Sequence, residues 1–202
     1  MVNYEKGGIH MGREFELKFR AQPAQRALIR QRFGEFDTIS METTYYDAPD
    51  RALSDRHITL RRRMEGGKSV CTLKTPSSNG GRGEWELECD DIQTAIPELC
   101  KLSGWKQLSV LTYDGVVEVC GAKFTRQAKT IALPECTVEI ALDQGVLTGG
   151  GREIPLCEVE VELKAGSEEA AVAFARELAA EYGLCSEEKS KFRRALALAR
   201  GE

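Results

Sequence analysis

The sequence predicts an α+β fold: an antiparallel β-barrel with a charged lumen, flanked by helices. Three observations predict it. Strict two-residue alternation, the period of a β-strand, runs through segment after segment. One face of these segments is almost wholly charged and the other is apolar. Four further stretches have helical spacing and helix-end signals, enough to cover the apolar side of a sheet. Both faces are satisfied if the sheet closes with its charge inward and its helices outside.

The elements follow in order. Residues 13–20 read as a strand, with Glu14, Glu16, Lys18 and Arg20 on one face and Phe15, Leu17 and Phe19 on the other. Residues 22–33 read as a helix, Pro23 suiting its first turn. Residues 38–47 are a strand, and 49–55 a turn or short helix. Residues 57–64 and 69–75 pair as a hairpin across Glu65, Gly66, Gly67 and Lys68. Arg61 and Arg63 share one face there, as do Thr72 and Lys74. Gly67-Lys68-Ser69 resembles the tail of a P-loop, but Arg62 stands where the first glycine belongs and a strand follows. Asn79-Gly80-Gly81 marks the next turn. In the strand 82–89, Glu84, Glu86 and Glu88 continue the face of Arg82.

A helix near 92–102 comes next, then a short helix and a strand within 108–121. Residues 123–132, 137–143 and 157–164 are strands. Arg126 is in phase with Phe124 rather than with Lys123 and Thr125, so a bulge is expected if it is to join the charged face. Glu139 and Asp143 oppose Val138, Ile140 and Leu142; Glu158, Glu160, Glu162 and Lys164 oppose Val159, Val161 and Leu163. Glycines 149–151 form a loop. Ser167 caps a helix that Gly183 stops, and Ser186 caps a last helix ending near Gly201.

The 202 residues suit a single domain at 11–202, with 1–10 a leader or tag. Lys plus Arg is 28 and Asp plus Glu is 32, a near balance that argues against a nucleic-acid binder. No stretch approaches the ~20 apolar residues of a membrane helix. The first ten residues hold no apolar signal core, and the 7 cysteines show no CxxC pair. A cytoplasmic chain with free thiols is expected.

Segregated charge is the functional signal. A face built for solubility intersperses its signs, whereas these strands carry glutamate triplets and basic pairs. Carboxylates at i, i+2 and i+4 converge where a hard cation can neutralise them. Guanidinium and ammonium groups on facing strands can hold a polyphosphate.

Glu14-Phe15-Glu16-Leu17-Lys18 is an E-x-E-x-K motif on the first strand. It precedes Tyr45-Tyr46-Asp47, Leu60-Arg61-Arg62-Arg63, Thr72-Leu73-Lys74 and Arg82-Gly83-Glu84-Trp85-Glu86. Arg126, the run from Glu139 to Asp143, Glu158-Val159-Glu160-Val161-Glu162 and Ser190-Lys191-Phe192 complete the set. In this order the motifs resemble the CYTH superfamily, the triphosphate tunnel metalloenzymes. They look closest to its inorganic triphosphatase branch, whose bacterial members often carry a second, helical domain not expected in these 202 residues.

The resemblance implies an eight-stranded antiparallel tunnel for a triphosphate and a divalent metal, Mg²⁺ or Mn²⁺. Glu14, Glu16 and the run Glu158, Glu160, Glu162 match metal-binding positions, of which two in that run are expected to serve. Lys18, Arg61, Arg63 and Arg126 match phosphate-binding positions, and Arg82, Lys74 and Lys191 join them as candidate cations. Lys74 and Tyr45 match residues placed around the attacking water. The expected activity is hydrolysis of inorganic triphosphate. Thiamine triphosphatase, a class IV-like adenylate cyclase and a non-catalytic polyphosphate or nucleotide module are the alternatives.

Overall fold

Each alternating segment forms a strand in the computed structural model, which describes residues 15–76 and 82–202. The strands are β1 (Glu16–Arg20), β2 (Asp37–Asp47), β3 (Thr59–Glu65), β4 (Lys68–Pro76), β5 (Arg82–Glu88), β6 (Val117–Ala132), β7 (Cys136–Gly149), β8 (Arg152–Gly166) and β9 (Cys185–Ser186). The helices are α1 (Pro23–Phe33), α2 (Ile92–Ser103), α3 (Gln107–Leu111), α4 (Glu168–Tyr182) and α5 (Lys191–Arg200). Residues 1–14, which include Glu14 and the expected leader, and the turn at Asn79 lie outside the described residues.

All pairings are antiparallel, in one nine-stranded sheet of order β5-β4-β3-β2-β6-β7-β8-β1-β9. The sheet has nine strands where eight are expected, and no closure is seen among the described residues. Among the described residues no ladder joins β5 to β1. The free side of β1 is instead taken at Phe19 and Arg20 by the two-residue β9.

The register sets the faces. Glu16 lies opposite Glu162, and Glu162 opposite Glu139. One step along, Lys18 pairs with Glu160, and the next step aligns Arg20, Glu158, Asp143 and Arg126. Ile39 is opposite Arg126, Tyr45 opposite Arg61, and Lys74 opposite Glu84. Arg126 joins the charged face without the expected bulge. Phe124 belongs to that face too, and the register shift of β2 on β6 lies elsewhere, between Tyr45 and Tyr46.

The other face carries two apolar clusters under helices. Phe19, Val138, Ile140, Leu142, Val159 and Val161 pack against Ile29 of α1 and Ala171, Ala175 and Leu178 of α4. Leu60, Cys71 and Leu73 pack against Ile92, Ala95, Ile96 and Leu99 of α2 and Leu108 of α3. The helix ends have physical causes. The Ser167 hydroxyl accepts the Ala170 amide, Glu168 and Glu169 sit in the favourable first turn, and Gly183 ends α4 at φ 64°.

The last helix departs from expectation twice. Its cap is Ser190, whose hydroxyl accepts the Arg193 amide, because Ser186 is drawn into β9 against Phe19. It also packs on the charged face of the sheet, not on the apolar one. Phe192 and Ala195 bury against Met41, Tyr45, Phe124, Leu147 and Leu156, the apolar end of that inner face. Gly149 permits this close approach: a Cβ there would lie 2.5 Å from the Ala195 carbonyl oxygen and 2.8 Å from the Ala199 nitrogen. Gly149→Ala is therefore expected to push α5 off the sheet. Overpacking of this kind costs about 1–3 kcal/mol, to be read as a lower midpoint in urea denaturation.

Candidate active site

The sheet curls enough for β1 and β4, near its opposite edges, to line one cavity of about 300 Å³. Lys18, Arg61, Arg63, Lys74, Arg126 and Lys191 line it, with Glu16, Glu160 and Glu162 as its carboxylates. Six cations against three anions make it a polyanion site by charge. Tyr45, Phe15, Phe124 and Phe192 supply the apolar lining. This aromatic grouping is assembled by tertiary contact, and no cluster of these rings is visible in the sequence.

One wall is basic and braced from behind. Arg61 lies 3.5 Å from Glu84 and 3.3 Å from Glu86, and Lys74 lies 3.0 Å from Glu84. Lys74 is thus paired with a carboxylate. Arg63 lies 2.7 Å from Glu65 and 3.9 Å from Glu86, while the Thr72 hydroxyl donates to Glu86 at 2.8 Å. Burial, then the neighbouring Arg61, pulls Arg63 below the usual guanidinium range. Burial works to raise the Glu86 carboxyl, but Arg61 and Arg63 outweigh it and hold it low.

The opposite wall is acidic. Lys18 reaches Glu16 at 2.7 Å, and Lys164 reaches Glu162 at 2.8 Å. Deeper in, the carboxylates of Asp143, Glu158 and Glu160 converge within 4.8 Å of one another. Arg126 grips Asp143 with two hydrogen bonds, at 2.8 and 2.7 Å, and Glu160 with a third at 2.5 Å. Lys191 stands among all three acids, and Arg194 contacts Glu158. Burial favours the neutral Glu160 carboxyl, but Lys191 and Arg126 prevail and hold it far below the usual range. Burial opposes the charge on Lys191 as well; Glu160 and Asp143 prevail and raise it.

Of the sequence candidates, Glu16, Lys18, Tyr45, Arg61, Arg63, Lys74, Arg126, Glu160, Glu162 and Lys191 share the cavity. Glu158 is fully buried behind its wall. Arg82 begins β5, and its side chain is outside what is described, as is Glu14. Tyr45 stacks on Phe192 with ring centroids 5.0 Å apart, and burial raises its phenol, which stays protonated at neutral pH as a hydrogen-bond donor. Asp143, Arg194 and the bracing pair Glu84 and Glu86 were not among the candidates. Asp143 had a signal in its phase with Glu139, and Arg194 one in its i,i+3 spacing from Lys191.

A family model for the CYTH domain matches residues 12–196. The chain belongs to the CYTH family. Its site thus lies in a triphosphate tunnel metalloenzyme fold. An inorganic triphosphatase of Haemophilus influenzae is 28% identical over 164 residues, covering 78% of this chain and 47% of that protein. The CYTH chain therefore spans about half the length of that relative. A Hippeastrum protein with a dominant triphosphatase activity matches in structure with TM-score 0.61 and 20% identity, covering 93% of this chain and 95% of that one. A Pyrococcus horikoshii protein matches with TM-score 0.58 and 23% identity, covering 93% and 99%.

The residues of this CYTH domain fit a divalent metal by donor chemistry. The all-oxygen set of carboxylates suits a hard cation, and the buried cluster of Asp143, Glu158 and Glu160 could take one. No helix of the described residues is long and apolar enough to cross a membrane. All seven cysteines are free, and burial pushes the Cys71 and Cys120 thiols up to about 12.

Proposed function

We propose that this chain is a divalent-metal-dependent hydrolase of short linear triphosphates, with inorganic tripolyphosphate as substrate. One observation carries the reading: six cations and three carboxylates line a single cavity of about 300 Å³. Tripolyphosphate carries about four or five negative charges near neutral pH and needs such a wall to leave water. The curled sheet serves as the tunnel wall. Relatedness to an inorganic triphosphatase supports the same substrate class.

In this reading Arg61, Arg63, Arg126, Lys18 and Lys191 bind and align the phosphates, each fixed by a carboxylate partner. Glu16, Glu160 and Glu162, with Glu14, hold Mg²⁺ or Mn²⁺. Such an ion supplies charge neutralisation at phosphoryl oxygens and a more acidic water. Tyr45 donates a hydrogen bond to the group at the terminal phosphorus, and Lys74 orients that water or its phosphate. Little covalent chemistry is asked of the protein, so positioning and charge stabilisation dominate. The free thiols suit a cytoplasmic setting.

Lys74→Arg keeps the charge and changes the donor geometry. It is expected to lower kcat about tenfold while KM moves less than about threefold, because part of the Lys74 contact forms only in the transition state. A raised KM at unchanged kcat would demote Lys74 to ground-state binding. The function itself is tested by phosphate release from tripolyphosphate, ATP and thiamine triphosphate side by side, with Mg²⁺ or Mn²⁺. Tripolyphosphate is expected to be turned over fastest, and only with metal. Preference for either organic triphosphate would shift the reading to that substrate, and binding without turnover would leave a polyphosphate-binding module.

A further inference from the structure

The carboxylates of Asp143, Glu158 and Glu160 are gathered to nearly the size of a metal shell. Their oxygens lie within 4.8 Å of one another, and opposite oxygens around a six-coordinate Mg²⁺ lie about 4.2 Å apart. The Lys191 ammonium stands among them, with Nζ 2.6 Å from Glu158, 2.7 Å from Glu160 and 2.8 Å from Asp143. A cation held by the same oxygens needs the same place, so ammonium and ion exclude one another.

The ammonium fits this seat imperfectly. It donates a hydrogen bond to Glu160 Oε1. Glu158 has no exposure, and its Oε2 lies 2.6 Å from Nζ yet has no hydrogen-bond partner. Such an oxygen is costly to bury, and coordination to a cation would satisfy it without the directional demand of an N–H donor. Charge points the same way. The three acids are balanced by Lys191, Arg126 and Arg194. A divalent ion beside all three cations would leave two positive charges in excess at a buried site, and the departure of Lys191 halves that excess.

Lys191 is the partner able to leave. Arg126 is tied to Asp143 by two hydrogen bonds. Lys191 is the first residue of α5, on a flexible stem just after the Ser190 cap. The helix behind it is anchored separately: Phe192 stacks on Tyr45, and Ala195 and Ala199 close on Gly149. Lys191 and Phe124 both line the cavity, with Nζ 5.4 Å from the Phe124 ring centroid. A swing of the stem alone carries the charge from the acids into the cavity.

We infer that Lys191 occupies the cation seat of Asp143, Glu158 and Glu160 in the metal-free chain and yields it when a divalent cation binds, which turns its ammonium toward the substrate's phosphates. On the reading of the cavity as a triphosphate site, metal loading then precedes triphosphate binding and strengthens it. The lysine that binds phosphate in the loaded chain is the one that guards the seat in the empty chain.

The test uses the full chain. Mn²⁺ is titrated without substrate into the parent, Lys191→Met and Lys74→Met. Acylation of Lys191 by a brief pulse of acetic anhydride is read by mass spectrometry, in chelator and in saturating Mn²⁺. An occupied seat lowers the apparent affinity to the fraction of chains in which it is empty. With that fraction at about one-tenth or less, Lys191→Met should bind Mn²⁺ at least about tenfold tighter than the parent. Lys74→Met removes a cation from the opposite wall and should change Mn²⁺ affinity less than about threefold. Mn²⁺ should raise acylation of Lys191 in the parent about tenfold or more, because the amine leaves a buried, ion-paired position. Mn²⁺ affinity of Lys191→Met within about threefold of the parent would overturn the inference. So would an equal gain in Lys74→Met, or acylation that Mn²⁺ leaves unchanged. Should Lys191→Met not fold, acylation of the parent decides alone. A parent in which Mn²⁺ releases Lys191 but no triphosphate is hydrolysed overturns the proposed function and leaves the exchange standing, whereas a parent that binds no Mn²⁺ overturns both.

Discussion

Lys191→Met is expected to destabilise the metal-free chain by roughly 3–5 kcal/mol, the cost of breaking a buried ion pair by removing one partner. Lys191 is the group that all three acids of the inner cluster share, at 2.6 to 2.8 Å. Without it Asp143 and Glu158, both with no exposure, lose a counter-charge that water cannot replace. Methionine keeps the length of the stem that carries Nζ over the Phe124 ring at 5.4 Å, so lost packing is a small part of the effect. Urea denaturation at pH 7 in a chelating buffer measures it. The three carboxylates then resemble an unfilled cation site, so Mn²⁺ should raise the stability of the variant more than that of the parent. A loss under about 1 kcal/mol would mean that Arg126 and Arg194 balance the cluster without Lys191.

The faces of the strands were legible because period-two alternation survives any tertiary arrangement. The alternation puts Glu16, Arg63, Lys74, Glu86 and Glu160 on one side; all but Glu86, which is paired with Arg61, line one cavity. Arg126 reads as out of phase in the sequence because Lys123 and Thr125 resemble the polar face of a strand. Phe124 lies inside, where Lys191 and Arg126 cover its ring.

What was not legible depends on contacts between distant segments. The periodicity of α5 gives it an apolar stripe but not the side of the sheet it packs on. That choice is made by Gly149, over 40 positions away, whose missing side chain leaves room for the helix. Ser186, followed by Glu187 and Glu188, is the better cap by sequence. It is spent instead on a two-residue ladder with β1, and that ladder occupies the edge a closed barrel would need. The acid cluster escaped for the same reason. Asp143 meets Glu158 only through the β7–β8 register, and neither residue announces that its partner is a lysine on the last helix.

Glu16→Gln should give the opposite pattern to Lys191→Met: an intact fold with little activity. The Glu16 side chain is 26% exposed and pairs with Lys18 at 2.7 Å, a partly solvated contact. Losing it should cost under about 1 kcal/mol of stability. For metal binding the change is severe, because an amide keeps the shape of the carboxylate but gives up the charge a hard cation needs. Glu16 stands directly across from Glu162, which stands across from Glu139, so this row aligns acidic residues of three strands, and Glu16 and Glu162 line the cavity. Metal assistance is worth several kcal/mol in the transition state, and each 1.4 kcal/mol is about a factor of ten in rate. Tripolyphosphate hydrolysis is therefore expected to fall at least about a hundredfold, with weaker Mn²⁺ binding and partial recovery at high Mn²⁺. The decisive comparison is kcat/KM against Mn²⁺ concentration for parent and variant, together with their urea midpoints. Parental turnover by Glu16→Gln at low Mn²⁺ would move the metal off this row, and a collapsed urea midpoint would make Glu16 a structural residue instead.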